Sequence, residues 1–391
     1  MSYFQWDFVL WSTKATIFED LAVRAESNVD EARAVVDSPD FYYITQMLKS
    51  PDIGARISSC RLLGSLARHE CTMEAILELR TCAQLVSMLQ DEDSRVIESA
   101  FATHTLSRIA CHLNGAQAIV DSRALVLVSA LLQSPLPNIQ KWACALAGNL
   151  AAHEPTRAAV LALKPYEQIV PLLSDKDSEI VLRAAHALAQ MARPLDGAQA
   201  IVDVGGLDHI SPLLRSPLPN IREWTCVLVG NLAFHESTGA AILALKPFKT
   251  LVTLLSDKDS GVVDEAAHVL CQLACSLNGA QAIVDARGLD HVLKLLESPT
   301  AVLALKPFQA LVTLLSDEDS EVTEWAAYAL SNIAASSAGA LAIVNARALV
   351  LVGELLESPR VNVRKWTREL VEKLASNELT LPAILELELS G

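Results

Sequence analysis

The sequence predicts an all-α solenoid built from about nine three-helix repeats, one of them lacking its third helix. Three observations predict it. First, Trp142 and Trp224, Asn149 and Asn231, and the series His104, His186 and His268 all recur at one common step. That step covers two units of about 41 residues each, in two alternating flavours, a period that belongs to helical repeat arrays. Second, within each unit apolar residues recur at 3- and 4-residue steps, the mark of a buried helical face. Third, hydrophobic residues make up 51% of the chain and mean hydropathy is +0.31, which suits repeats that bury faces against two neighbours.

Taken in order, residues 1–29 match the repeat poorly. Ile17 to Ser27 fits a last helix ahead of the array, and Tyr3, Phe4, Trp6, Phe8 and Trp11 would cover the first repeat's open face. From Asp30 to the end, residues 30–391, the array is regular, each unit carrying two short helices and a longer third. The third helices are expected to begin near Pro51, Asp93, Leu136, Asp177, Leu218, Asp259, Asp319 and Arg360. Before four of these the break is Asp-rich, as in Asp257 to Ser260, where Asp259 or Ser260 can cap the next helix. In the alternate flavour it is Ser-Pro, at 134–135, 216–217, 298–299 and 358–359, where the missing proline N–H costs little. The last segment, Leu379 to Leu389, reads as a first helix.

One irregularity falls near 299–300. After the second helix ending at Pro299 the chain runs directly into Thr300 to Phe308, which matches the first helix of the next unit. Tyr328 holds the position of His268, yet it follows His268 by only about three quarters of the common step. A stretch the length of one third helix is missing. A local kink, or a packing defect between Ala286 and Leu315, is expected.

With 46 acidic and 31 basic residues, the net charge is −15. That argues against nucleic-acid binding, which needs Lys and Arg to displace counterions, and favours basic partners. The eight cysteines form no CxxC pair and sit mainly among apolar helical residues, where a thiol behaves as a small hydrophobe. Met1 to Leu10 lacks the basic start and clean apolar run of a secretory signal. The expectation is a monomeric intracellular chain, cytoplasmic or nuclear, with reduced thiols. Trp325 to Ala346 carries no Asp, Glu, Lys or Arg and is long enough to span a bilayer. Ser336, Ser337 and Gly339 fall at a helix junction in the repeat register, so direct membrane insertion is not expected.

Glu324 to Ala334 (EWAAYALSNIA) resembles the third helix of an armadillo repeat, and Asn278 to Leu296 resembles the first and second, with Gly288 at the turn between them. The resemblance covers about 30–389 and is nearest to the β-catenin-like and fungal vacuolar armadillo scaffolds. It implies a right-handed superhelix whose third helices line a groove for extended peptides or other proteins. The nuclear-import adaptor is a weaker match. Its Asn position corresponds to Asn149, Asn231 and Asn332, but its Trp position holds Ala145, Val227 and Tyr328.

Residues seven and eleven apart share a helix face. Asn138, Trp142 and Asn149 therefore form one stripe, Asn220, Trp224 and Asn231 a second, Glu321, Trp325, Tyr328 and Asn332 a third, and Asn362, Trp366 and Lys373 a fourth. The intervening repeats align Glu179, Arg183, His186 and Gln190, then Glu265, His268 and Gln272. Asn amides offer both a donor and an acceptor to an extended backbone, and indole faces hold aliphatic or cationic side chains. The alternative is that each Trp packs into the neighbouring repeat. His104, His186 and His268 invite a metal reading, but two repeats separate them by roughly 20 Å, since a helix is about 10 Å across. They cannot share an ion, and no metal or cofactor is expected. Ser-Asp-Lys-Asp-Ser at 174–178 and 256–260 lacks the glycine and bidentate Glu of a calcium loop and reads as a capping turn. Leu251 to Leu255 and Leu311 to Leu315 match an LxxLL pattern but occupy second-helix core positions. No nucleophile elbow, phosphate loop or dinucleotide fingerprint occurs. The expected function is a non-enzymatic protein-interaction scaffold that binds an extended, basic or mixed segment; the alternatives are a nuclear-transport adaptor or a spacer without a groove ligand.

Overall fold

In a computed structural model, the described residues are 11–90, 96–274, 312, 315, 320–334, 337–345 and 348–389. The irregularity near 299–300 lies outside them. Every described regular element is helical. The chain divides into two compact units, Met1–Gly206 and Leu207–Gly391.

Unit 1 opens with α1 (Trp11–Ser27). Three-helix repeats follow: α2 (Val29–Val36), α3 (Tyr43–Met47) and α4 (Ile53–Leu66); α5 (Met73–Glu78), α6 (Thr81–Gln90) and α7 (Val96–Ile109); α8 (Leu113–Asp121), α9 (Leu125–Leu132) and α10 (Pro137–Ala152); α11 (Glu154–Leu161), α12 (Tyr166–Leu172) and α13 (Ser178–Met191). The next first helix, α14 (Leu195–Asp203), closes the unit. Unit 2 holds α15 (Ile210–Leu213), α16 (Pro219–Ala233), α17 (Glu236–Ala244), α18 (Phe248–Leu254) and α19 (Ser260–Ala274). Further along come α20 (Ser320–Ile333), α21 (Ser337–Asn345), α22 (Leu349–Leu356), α23 (Val361–Ala375) and α24 (Leu381–Leu389). All eight expected third helices are present. The uncharged stretch at 325–346 falls on two helices, α20 and α21, and no single described helix is long and apolar enough to cross a membrane.

The breaks work as their side chains dictate. Asp52, Asp177 and Asp259 accept from backbone N–H groups in the first turns of α4, α13 and α19 at 2.9–3.0 Å. In the alternate flavour Ser134 and Ser216 hydroxyls accept from Leu136 and Leu218 at 3.3 Å, and Pro137 and Pro219 then start the helices.

The third helices stack in unit 1, α1 on α4, α4 on α7, α7 on α10 and α10 on α13; in unit 2, α16 packs on α19 and α20 on α23. One register position is fully apolar in both units: Leu66, Ile109, Leu150, Met191, Leu232 and Leu374 are 0% exposed. Each such side chain adds about 1.5–3 kcal/mol by burial.

The two flavours differ at the end of the third helix. After α4, α10, α16 and α23, a buried threonine hydroxyl (Thr72, Thr156, Thr238, Thr380) donates to the carbonyl six residues back. After α7 and α13 that place is Gly115 or Gly197, and a Cβ there would collide with the Ile109 or Met191 carbonyl oxygen. A side-chain hydrogen bond in one flavour is replaced by direct backbone approach in the other.

Candidate binding face

The expected stripes lie on the third helices, and their exposure is intermediate. On α10, Asn138 is exposed while Trp142 and Asn149 are half-buried; on α13, Arg183, His186 and Gln190 are half-buried. In unit 2, Asn220 and His268 are exposed, and Trp224, Asn231, Glu265, Gln272 and Tyr328 are half-buried. The side chains of Trp325 and Asn332 lie outside the described ones.

Unit 1 brings several of these groups together. The Trp142 ring lies against His104 of α7, centroids 4.0 Å apart and planes tilted 44°. Lys141 Nζ sits 5.0 Å from the indole centroid and the Arg183 guanidinium 5.5 Å. Trp142 therefore joins two repeats through one part of its surface and holds cations on another. Asn149 behaves differently. Its Nδ2 donates to Ser107 O at 2.7 Å and lies 3.2 Å from Cys111 Sγ, so its donors tie α10 to α7. Those donors are thereby engaged within the helical stack. In unit 2 the Tyr328 ring meets Trp366 of α23 edge-on at 4.5 Å, with Lys365 Nζ 4.2 Å from the indole. Gln272 Nε2 is 3.0 Å from His268 Nε2 on the same helix.

The stripes do not reveal a cavity of about 450 Å³ on the third-helix face of unit 1. Its walls include Val23 of α1, Phe101 and His104 of α7, and Trp142 of α10; Gly64 and Ser65 of α4 supply small surfaces. Four charged side chains border it. Arg61 pairs with Glu19 at 2.8 Å and lies 5.4 Å from the Phe101 centroid. Arg108 stands 3.9 Å from Glu26, which Arg68 engages more closely at 2.8 Å. In sequence, Phe101 and Arg108 were discoverable, because they occupy the Trp142 and Asn149 positions one repeat earlier. The contribution of α1 was not, since it follows no repeat pattern.

Burial, reinforced by Arg108 and Arg183, lowers the His104 pKa to about 4; burial and Arg183 bring His186 to about 4. Both rings are neutral near pH 7. Arg108 Nε donates to His104 Nε2 at 3.2 Å, which requires that nitrogen to be unprotonated. On α19, burial raises the Glu265 carboxyl, against the opposing pull of His268. Burial also pushes the Cys82, Cys144 and Cys226 thiols up to about 12, far from the thiolate form. Among the described residues no group of three or more His, Cys, Asp or Glu is placed to hold a metal ion.

A second histidine series does structural work that the sequence reading missed. His69, His112 and His153 each meet a carbonyl at the end of the preceding third helix: Ala25 O at 2.7 Å, Ala67 O at 2.8 Å and Ala110 O at 3.0 Å. In the next repeat Pro194 takes the histidine's place, and Arg193 donates to Ala152 O at 3.2 Å. These bonds satisfy C-terminal carbonyls that have no intrahelical partner.

No family model matches the chain. An engineered protein of known crystal structure is similar over 95% of this chain and 97% of its own, with 28% identity and a TM-score of 0.68. A second engineered protein covers 65% of this chain and 99% of its own at 25% identity and TM-score 0.42. A designed armadillo repeat protein covers 64% and 99% at 22% identity and TM-score 0.42. The three-helix units seen throughout the described chain, with the near full-length similarity to the first engineered protein, make the fold an armadillo-like all-α repeat solenoid.

Proposed function

We propose that this chain is a protein-interaction scaffold that binds an extended segment of a partner across the third-helix face of unit 1. The observation that carries this reading is the cavity between Phe101 and Trp142. It offers two aromatic walls on a rigid helical stack, and large aromatic anchors are the side chains that most often dominate binding energy. The segment's backbone would run past Asn138 and Asn149 while one of its side chains fills the cavity. Nothing in this mode requires covalent chemistry; binding is an equilibrium. With its thiols reduced, the chain would act inside the cell.

The test is a display selection of random twelve-residue peptides against the intact chain. The selected peptides are then measured against Trp142→Ala and Phe101→Ala variants whose circular dichroism matches the parent. Loss of a central aromatic anchor should weaken binding by about 2 kcal/mol, roughly 30-fold. Binders that ignore both substitutions in folded protein, or a selection yielding none, would retire the face as the site.

A further inference from the structure

The overall charge of −15 predicts a basic partner, but the charges around the unit 1 cavity run the other way. Arg61, Arg68, Arg108, Lys141 and Arg183 converge on this face, against Glu19, Glu26 and Glu179. Two of the carboxylates are already closely engaged. Glu19 and Glu26 each hold a guanidinium at 2.8 Å, from Arg61 and Arg68. Arg108 reaches Glu26 only at 3.9 Å, and Arg183 reaches Glu179 only at 3.9 Å, both beyond hydrogen-bond length. Lys141 and Arg183 instead lie over the Trp142 ring. The positive charge left over is thus gathered on the Trp142 side of the cavity.

We infer that this face of unit 1 binds an acidic peptide segment, its carboxylates set against Arg108, Lys141 and Arg183 and an apolar side chain set between Phe101 and Trp142. The inference rests on the binding-face reading above and specifies its ligand. A lysine-rich segment would have to approach Arg108 and Arg183, and would find only Glu179 outside the close pairs made by Arg61 and Arg68. An acidic segment meets the cations without breaking either close pair. Complementary charge of this kind sets partner choice and the rate of encounter more than total affinity. The net negative charge elsewhere would repel acidic chains, which confines them to this face.

The experiment compares two fluorescein-labelled twelve-residue probes, one repeating Glu-Phe-Glu-Gly and the other its Lys-for-Glu counterpart. Each is titrated with the full chain and followed by anisotropy in 0.1 M salt. The acidic probe should bind at least ten-fold tighter, and raising the salt to 0.5 M should weaken it several-fold by screening. Charge reversal in a Lys141→Glu/Arg183→Glu variant should abolish the preference. The probe comparison needs no substitution, so it decides the charge question even if the double variant does not fold. Equal affinities, a tighter basic probe, or binding of neither overturns the acidic assignment. So does acidic binding that persists undiminished in a folded double variant. The display selection samples every composition, so Trp142-dependent binders of basic sequence would sink this inference while leaving the binding face standing.

Discussion

Trp142 owes its surroundings to residues on three consecutive third helices. His104 packs on one side, Lys141 comes from its own helix, and Arg183 reaches back from the next repeat. The spacing of Trp and Asn was legible because each is rare and recurs. The cations were harder to see, because a Lys beside a Trp, and an Arg one repeat later, look like ordinary surface residues. Packing also gives the two depressed histidines a measurable consequence. Folded His104 and His186 take up protons only near pH 4, whereas the unfolded chain takes them up near 6.5. Between those values the unfolded state binds more protons, so stability is complete above about pH 6.5 and declines as pH falls toward 4. Each histidine can contribute at most about 1.4 kcal/mol per pH unit in that window, less for the part of its ring that water reaches. Arg108, Arg183 and Lys141 deepen the effect at His104, and Glu26 opposes it. Urea-unfolding midpoints should therefore fall between pH 6.5 and 5, above the range where ordinary carboxylates titrate, and fall less in a His104→Gln/His186→Gln variant. Parallel pH profiles for the two proteins would refute the assignment.

At the scale of the helix, third helices of one flavour approach their neighbours to different degrees. Gly148 of α10 faces Ala187 of α13, and a Cβ there would sit 2.8 Å from Ala187 Cα and 3.0 Å from His186 Nδ1. A backbone atom cannot swing aside as the tip of a long side chain can. Gly148→Ala should therefore force the helices apart and cost about 1–3 kcal/mol, the usual range for overpacking. Gly64 of α4 is the control. Its nearest neighbour would be Thr105 Oγ1 at 3.6 Å, an ordinary contact. Gly64→Ala should be neutral or stabilising by up to ~1 kcal/mol, because alanine is the better helix former. Thermal midpoints of the two variants should move in opposite directions or differ clearly; equal midpoints would mean that α10 and α13 are not in this contact. The sequence disclosed where third helices start, since Asp caps and Ser-Pro breaks are local signals. It did not disclose which glycine was a contact and which opened a cavity. That depends on the residue facing it from the neighbouring repeat. The histidine bonds to Ala25, Ala67 and Ala110 carbonyls escaped for the same reason: their acceptors are backbone atoms, which carry no sequence signature.

For the whole molecule, a repeat array couples each unit to its neighbours and to little else. In unit 1 the third helices follow that order, α10 packing on α7 and α13. The periodicity made this architecture readable, because one buried register recurs from Leu66 to Leu374. A local defect should consequently have a local range. Opening the α10–α13 contact by about 2 kcal/mol raises the population of locally open forms roughly 30-fold. In Gly148→Ala, amide hydrogen exchange should accelerate by about that factor in α10 and α13, and by less in α7. It should be unchanged in α23, which packs with α20 and α22 around a core containing Leu330, Val352, Leu370 and Leu374. A solenoid that opens repeat by repeat gives this gradient. A chain that unfolds as one cooperative block does not, because every slow amide then exchanges through the same global opening. Equal acceleration in α10 and α23 would mean that stability is shared over the full length. Acceleration confined to unit 1 would instead show that the binding face can loosen and re-form while the rest of the molecule stays folded, which is the behaviour a scaffold needs if its partner is to come and go.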